Sequence, residues 1–282
     1  MRKWRKMSKF RVCILASGSK GNATLLQAGD TSILVDAGIS ARRIKKGLER
    51  VGVQPSQLAG IFITHEHRDH IDGLSVFCQY NKIPVFANEE TWLAVGFLGK
   101  VESRQRRMLP DNMFKVGDIS LQSFPVAHDA ARPVGFSFFY RDSKCTFATD
   151  LGHVDAKVKE AFAGSDTIIV EANHDRQMLK EGKYPHYLKA RISGPKGHLS
   201  NEDAGALLAE VCSKHTEVFL AHLSKENNCP LLAEKTVRDI LQQKGAQERT
   251  KIYVANQEEI VSNEQIQAEE ITLAWDKGVC QL

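Results

Sequence analysis

The apolar run Ile61-Phe62-Ile63 ends in Thr64-His65-Glu66-His67-Arg68-Asp69-His70, and this junction limits the folds open to the chain. The run reads as a buried strand that delivers three of the ten histidines and a carboxylate to its mouth. Imidazole and carboxylate form the donor set that suits zinc, manganese and iron(II). Along an extended segment alternate side chains point the same way, so His65, His67 and Asp69 are expected to converge on one point. His70 then points elsewhere and is available to a second ion. Such a cluster needs a scaffold in which several strand ends meet.

The rest of the chain supplies one. Strand-type runs at 10–15, 23–27, 31–35, 60–64, 82–87, 113–116, 119–126, 135–141, 144–149, 167–170, 217–221 and 252–255 interleave with helical stretches. Ser40 caps a helix that Gly52 closes, a second helix starts near Asp69 and passes Val76, and a third covers 156–163. Ser200-Asn201-Glu202-Asp203 has the form of a capping box opening a helix to about residue 214, and another helix spans 231–243. This interleaving predicts an α/β layered architecture without a clear domain boundary. Residues 1–9 read as a basic tail, 10–262 as one domain, and 263–282 as an extension packed on it.

At 282 residues and 42% hydrophobic content, the chain is able to bury a sizeable core. Its net charge of +4 is compatible with an anionic substrate but does not require one. Six scattered cysteines without a C-x-x-C pair read as reduced thiols of a cytosolic protein. The basic N-terminus lacks the apolar core of a signal peptide, and no run approaches the ~20 apolar residues that span a bilayer. A cytoplasmic protein without membrane contact is expected.

Further polar groups stand at the ends of apolar runs. Asp36 follows Ile33-Leu34-Val35, His128 follows 121–127, Asp150 follows 145–149, and His222 follows 218–221. Loops at the C-terminal mouths of strands gather functional residues in α/β proteins. In this order, Asp36, His65-x-His67-x-Asp69-His70, His128, Asp150 and His222 resemble the five-motif pattern of the metallo-β-lactamase superfamily. The resemblance covers nearly the whole chain and implies a four-layer αβ/βα sandwich, two mixed β-sheets flanked by helices. It assigns His65, His67 and His128 to one ion, Asp69, His70 and His222 to another, and Asp150 to a bridge between them. Asp36 matches the position that anchors ligand geometry from behind. A secreted zinc β-lactamase carries an export signal and typically a Cys in place of Asp150; a flavodiiron protein carries Glu in place of His67 and a flavin module. This chain has none of these features.

Within the superfamily, Ser17-Gly18-Ser19-Lys20-Gly21-Asn22, Glu171-Ala172-Asn173-His174-Asp175 and the run from Ala221 to Asn228 resemble the YycJ/WalJ group, an exonuclease-like branch related to the tRNA 3′-processing endonucleases. In those endonucleases a strand-end Glu pairs with a His ahead of a capped helix, and Glu171 and His198 match those places. The resemblance implies a DNA exonuclease acting 5′ to 3′, with substrate contacts from Ser17, Ser19, Asn22, Asn173, His174 and Asn228. Two divalent ions (zinc or manganese, or iron) would be expected there; they would supply a bridging hydroxide of lowered pKa as nucleophile, with Asp69 as the residue expected to orient it towards phosphorus. His198, held by Glu171, is the expected acid for the leaving group. Arg42, Arg43, Lys45, Lys46 and Arg50 either track a polynucleotide backbone or form a solvated face. Trp4, Trp92 and Trp275 are too far apart in sequence to suggest a stacking array. The same ligands also serve a hydrolase of small anionic esters, such as a glyoxalase-II-like thioesterase or a cyclic phosphodiesterase. A non-catalytic regulatory protein of the same fold is the remaining alternative.

Overall fold

A computed structural model describes residues 9–95, 101–213, 215–246 and 250–266. The basic tail before residue 9, Trp4, Trp275, Cys280 and most of the expected C-terminal extension lie outside the described residues.

Strand periodicity generates the layers. In β1 (Arg11–Ala16), Val12 and Ile14 face one side while Cys13 and Leu15 face the other. The same alternation divides β3 (Thr31–Val35), where Ile33 and Val35 oppose Leu34, and β12 (Glu217–Ala221), where Phe219 and Ala221 oppose Val218 and Leu220. Strands buried on both faces must be covered on both faces. Accordingly, two seven-stranded sheets pack together and helices close the outside. The first sheet runs, in order, β14 (Val261–Ser262), β1, β2 (Ala23–Ala28), β3, β4 (Leu58–Phe62), β5 (Val85–Ala87) and β6 (Arg106–Met108). The second runs β13 (Lys251–Val254), β12, β11 (Thr167–Glu171), β10 (Ser143–Ala148), β9 (Val134–Tyr140), β8 (Ile119–Pro125) and β7 (Phe114–Val116). Phe62, Phe136, Phe138, Phe147 and Phe219 help fill the layer between them. Phe62 stacks on Phe86 with centroids 4.7 Å apart, an arrangement that adds about 1 kcal/mol to simple burial.

The first sheet's outer face packs against Ile44 and Leu48 of α1 (Ala41–Arg50) and Phe77 of α3 (Leu74–Tyr80). The second sheet's outer face receives Val158 and Phe162 of α5 (Ala156–Phe162), Leu207 and Leu208 of α8 (Asn201–Val211), and Val237 and Leu241 of α9 (Pro230–Gln243). This is the expected four-layer αβ/βα sandwich. Among the described residues, no helix is long and apolar enough to cross a membrane.

Two parallel sets of strands bring the functional ends together. β3 runs parallel to β4 (Leu58–Phe62), and β10 (Ser143–Ala148), β11 (Thr167–Glu171) and β12 run parallel to one another. β8 (Ile119–Pro125) shares the direction of β10 because each is antiparallel to β9 (Val134–Tyr140). The C-terminal mouths of all these strands therefore open on one edge of the sandwich.

Several elements depart from their expected form. The helix expected from Asp69 past Val76 divides into α2 (Arg68–Ile71) and α3. Gly73 lies between them against Ile39, whose carbonyl oxygen would be only 1.8 Å from an added Cβ. Helix α8 stops at Val211, and Cys212 leaves the helical conformation (φ −68°, ψ 133°). Among the elements without a clear sequence pattern are α4 (Glu89–Ala94), the charged edge strand β6 (Arg106–Met108), α6 (Arg176–Glu181) and α7 (His186–Ile192).

Candidate metal centre

Asp36, Asp150 and His222 each leave a strand in the left-handed conformation, at φ 60°, 57° and 56°. Asp and His tolerate this region better than most L-residues, yet it is sparsely populated. The sharp turns direct the three side chains back across the strand mouths, where all are buried.

A set of hydrogen bonds behind the cluster sets the histidine tautomers. Thr64 Oγ1 lies 3.0 and 3.1 Å from the Asp36 carboxylate oxygens and 2.9 Å from His65 Nδ1. The hydroxyl has one proton. Donating it to Asp36 leaves the oxygen to accept from His65 Nδ1–H. Asp36 Oδ2 accepts from His70 Nδ1 at 2.8 Å, Gly197 O from His128 Nδ1 at 3.0 Å, and Glu171 Oε1 from His222 Nδ1 at 2.8 Å. Four imidazoles thus present Nε2 lone pairs to one space, while His67 presents Nδ1, 3.3 Å from His128 Nε2. An oxygen acceptor behind each of those four rings is the arrangement that orients metal-binding histidines.

Carboxylates complete the cluster. Asp150 Oδ2 is 3.0 Å from His70 Nε2, and its Oδ1 is 3.6 Å from both His128 Nε2 and His222 Nε2. Asp69 Oδ2 lies 3.4 Å from His222 Nε2 and 3.5 Å from His70 Nε2. Burial opposes charge on His70 and His222, but Asp150 and the carboxylates beside it outweigh burial and raise both pKa values well above the ordinary histidine range. The field that favours a proton at these positions also favours a divalent cation. His65 behaves in the opposite way, because burial and then the neighbouring imidazoles hold it well below its ordinary range.

The donor set fits a divalent cation. His65 Nε2 is buried without a hydrogen-bond partner, a costly condition that coordination would relieve. Ligand atoms within 4.8 Å of one another group His65 with His67 and His128, Asp69 with His70 and His222, and Asp150 with His65 and His70. A further group joins Asp150, Glu171, His198 and His222.

The model of the beta-lactamase superfamily domain matches residues 31–223, which carry the cluster from Asp36 to His222. The chain belongs to the metallo-β-lactamase superfamily. It is 38% identical to exodeoxyribonuclease YycJ of Bacillus anthracis over 82% of this chain and 89% of the relative. It is 40% identical to exodeoxyribonuclease WalJ of Streptococcus pneumoniae serotype 2 (strain D39) over 83% and 89%. The metallo-β-lactamase fold protein YhfI of Bacillus subtilis superposes with a TM-score of 0.68 at 16% identity, covering 90% of this chain and 98% of that one. This metallo-β-lactamase-fold chain is therefore of the YycJ/WalJ type and a metal-dependent hydrolase.

One expectation about the histidine run needs correction. His65, His67 and Asp69 do not share a face. His67 caps α2, so the backbone has turned helical at Arg68 and the alternation of an extended segment stops there. Asp69 consequently joins His70 and His222, while His128 joins His65 and His67.

The residues expected to touch substrate divide into two sets. Ser17 Oγ accepts from His222 N at 2.8 Å, and Asn22 Nδ2 donates to Asp69 O at 3.3 Å and approaches His70 Nε2 at 3.2 Å. Asn173 Nδ2 donates to His222 O at 2.9 Å, and Asn228 Nδ2 bonds Ala172 O, Asn173 O and Asn201 Oδ1. These four side chains are buried and brace the ligand loops. Ser19 is exposed, and His174 lines a cleft beside His198.

Two supporting residues, Thr64 and Gly38, carry no motif signal of their own. Position 64 immediately precedes the histidine run, and that proximity identifies the Thr64 hydroxyl as a support once Asp36 is located beside it. Gly38 passes so close to Asp69 that an added Cβ would fall 1.6 Å from its carbonyl oxygen.

Proposed function

We propose that the chain hydrolyses phosphodiester bonds of DNA as a 5′ to 3′ exonuclease. The observation that carries this reading is Glu171: its Oε1 is 2.8 Å from both His198 Nδ1 and His222 Nδ1. One buried carboxylate therefore couples the cation cluster to a histidine outside its core. Glu171 Oε2 accepts from Leu151 N and Leu199 N, each at 3.0 Å, so the carboxylate is held from both sides. The exodeoxyribonuclease names of the YycJ and WalJ relatives favour DNA as the polymer.

Two divalent cations, zinc or manganese, would be held by His65, His67 and His128 and by Asp69, His70 and His222, with Asp150 shared. When bound, they supply a water of lowered pKa and neutralise charge developing on phosphoryl oxygens. The protein's own groups account for proton handling and alignment. Asp69, at the open side of the cluster, is placed to accept a hydrogen bond from the attacking water and aim it at phosphorus. His198 has Nδ1 committed to Glu171, so Nε2 is the atom that gives a proton to the departing sugar oxygen. Burial disfavours the imidazolium, but Glu171 and then Asp150 outweigh burial and raise the His198 pKa. This keeps an acid available near neutral pH.

The test compares end-labelled duplex DNA, RNA, bis-p-nitrophenyl phosphate and a glutathione thioester, using protein loaded separately with zinc or manganese. Mononucleotide release from the 5′ end of DNA is expected. Thioester turnover without nucleotide release would overturn the proposal.

A further inference from the structure

Short helices α6 and α7 flank a cleft of about 550 Å³ that has no part in the cation cluster but shares His198 with the site. Its size lies within the usual range for a small-ligand subsite. His174, Arg176, Lys180, His186 and Lys189 line it. Arg176 is already engaged by Asp203 Oδ1 at 2.7 Å and Ser200 Oγ at 3.1 Å, so the charges of Arg176 and Asp203 offset one another. Lys189 Nζ donates to Lys180 O at 2.7 Å, which places both lysines at one wall. Neither lysine forms an ion pair among the described residues, leaving the wall cationic.

His174 supplies a second, independent observation. It is 2% exposed, and its Nδ1 has no hydrogen-bond partner. Asn201 N donates to His174 O at 2.9 Å, and the residue forms a bridge with Ser200, so its backbone is fixed beside the cleft. A buried polar atom in a rigid setting calls for a partner with a complementary polar group. Cationic charge, an unpartnered imidazole and the adjacent proton donor together suit a tetrahedral oxyanion.

Building on the phosphodiesterase reading, we propose that this cleft binds a phosphate neighbouring the scissile one in a polynucleotide. Lys180 and Lys189 supply its charge complement and His174 a hydrogen bond. The contact positions the chain so that the departing oxygen reaches His198. The bound group is either a terminal 5′-phosphate or an internal phosphodiester; both present the same anionic oxygens.

The test uses the metal-loaded full chain with Lys180→Gln and Lys189→Gln combined, and the paired Lys→Arg variant as its charge-retaining control. Substrates are an oligonucleotide bearing a 5′-phosphate, the same oligonucleotide with a 5′-hydroxyl, and bis-p-nitrophenyl phosphate, which has no neighbouring phosphate. The ratio of kcat/KM for oligonucleotide to that for the small ester should fall about tenfold in the Gln variant, and the log–log salt slope should decrease by about one. The Arg variant should retain both values. A loss restricted to the 5′-phosphorylated substrate assigns the terminal group, whereas equal loss on both oligonucleotides assigns an internal one. An unchanged ratio and salt slope would overturn the proposal. Wild-type turnover of the small ester without cleavage of either oligonucleotide would instead overturn the nucleic-acid reading, before any variant is compared.

Discussion

Asp36 Oδ2 lies 2.8 Å from His70 Nδ1, and neither side chain is accessible to solvent. The contact fixes the ring so that Nε2 points to Asp150 and Asp69. Burial alone would raise the Asp36 pKa, and it does so despite His70 and the bonds from Thr64. The pair therefore spends part of its interaction opposing desolvation while holding a ligand in place.

Asp36→Asn should retain the shape of this support but weaken its charge and its acceptor function. Removing such support from behind a ligand typically costs about 10–100-fold in metal affinity or activity. Competition with a chromogenic chelator should show this loss, while circular dichroism remains close to wild type. Unchanged cation affinity would show that Asp36 is not an essential support.

Asp150→Ala removes the carboxylate shared by the proposed cation groups. Metal analysis of protein purified without added metal should find about one equivalent or less where the wild type holds about two, given that paired sites use a common bridge. Full occupancy by two ions in the variant would contradict the assignment of Asp150.

His198→Ala should lower kcat on DNA by about 10²–10⁴ if its Nε2 supplies the leaving-group proton. The loss should be smaller on bis-p-nitrophenyl phosphate, because p-nitrophenolate departs without protonation. Glu171→Gln tests the coupling by pH. Glu171 raises the His198 pKa, so the protonated acid is present below that pKa and lost as pH rises through it. The variant's alkaline limb should move to lower pH; a limb that stays in place would separate His198 from the rate-determining proton transfer.

Gly38→Ala would force a methyl group towards Asp69 O, since the added Cβ position is only 1.6 Å away. Backbone must move to admit it, and overpacking of this kind costs about 3 kcal/mol. A lower Tm should accompany weaker cation binding, because the displaced loop carries both Asp69 and His70. Gly52→Ala is a useful contrast: Gly52 has φ +78° but open space around the added Cβ, so its cost comes from backbone conformation rather than the metal loop.

Much of the sandwich was legible because its strands alternate apolar contacts between two faces, as Cys13 and Ile14 or Val218 and Phe219 do. β12 occupies the expected residues, and Ser40 and Ser200 cap the helices they precede. The pattern fails at α6 and α7. These are short, mostly exposed helices whose charges follow their local surroundings instead of a continuous buried stripe. Likewise, Arg106 and Arg107 hide the edge strand β6, which is exposed and needs no apolar alternation.

By itself, the sequence determined the order of strand-end donors and the chemical types available to hold cations. Local spacing was sufficient because those donors follow recognisable apolar runs. Extended-strand spacing grouped Asp69 with His65 and His67, whereas the superfamily resemblance put it with His70 and His222. Tertiary structure decided between the two, because the helical turn at Arg68 separates Asp69 from His65 and His67, and strands distant in sequence bring His128 and His222 to opposite groups. Tertiary structure also sets Glu171 between His198 and His222 and assembles the cleft around His174. The distinction is physical: one-dimensional periodicity records which side of an element is buried, whereas metal geometry and proton transfer depend on distances between atoms on different elements.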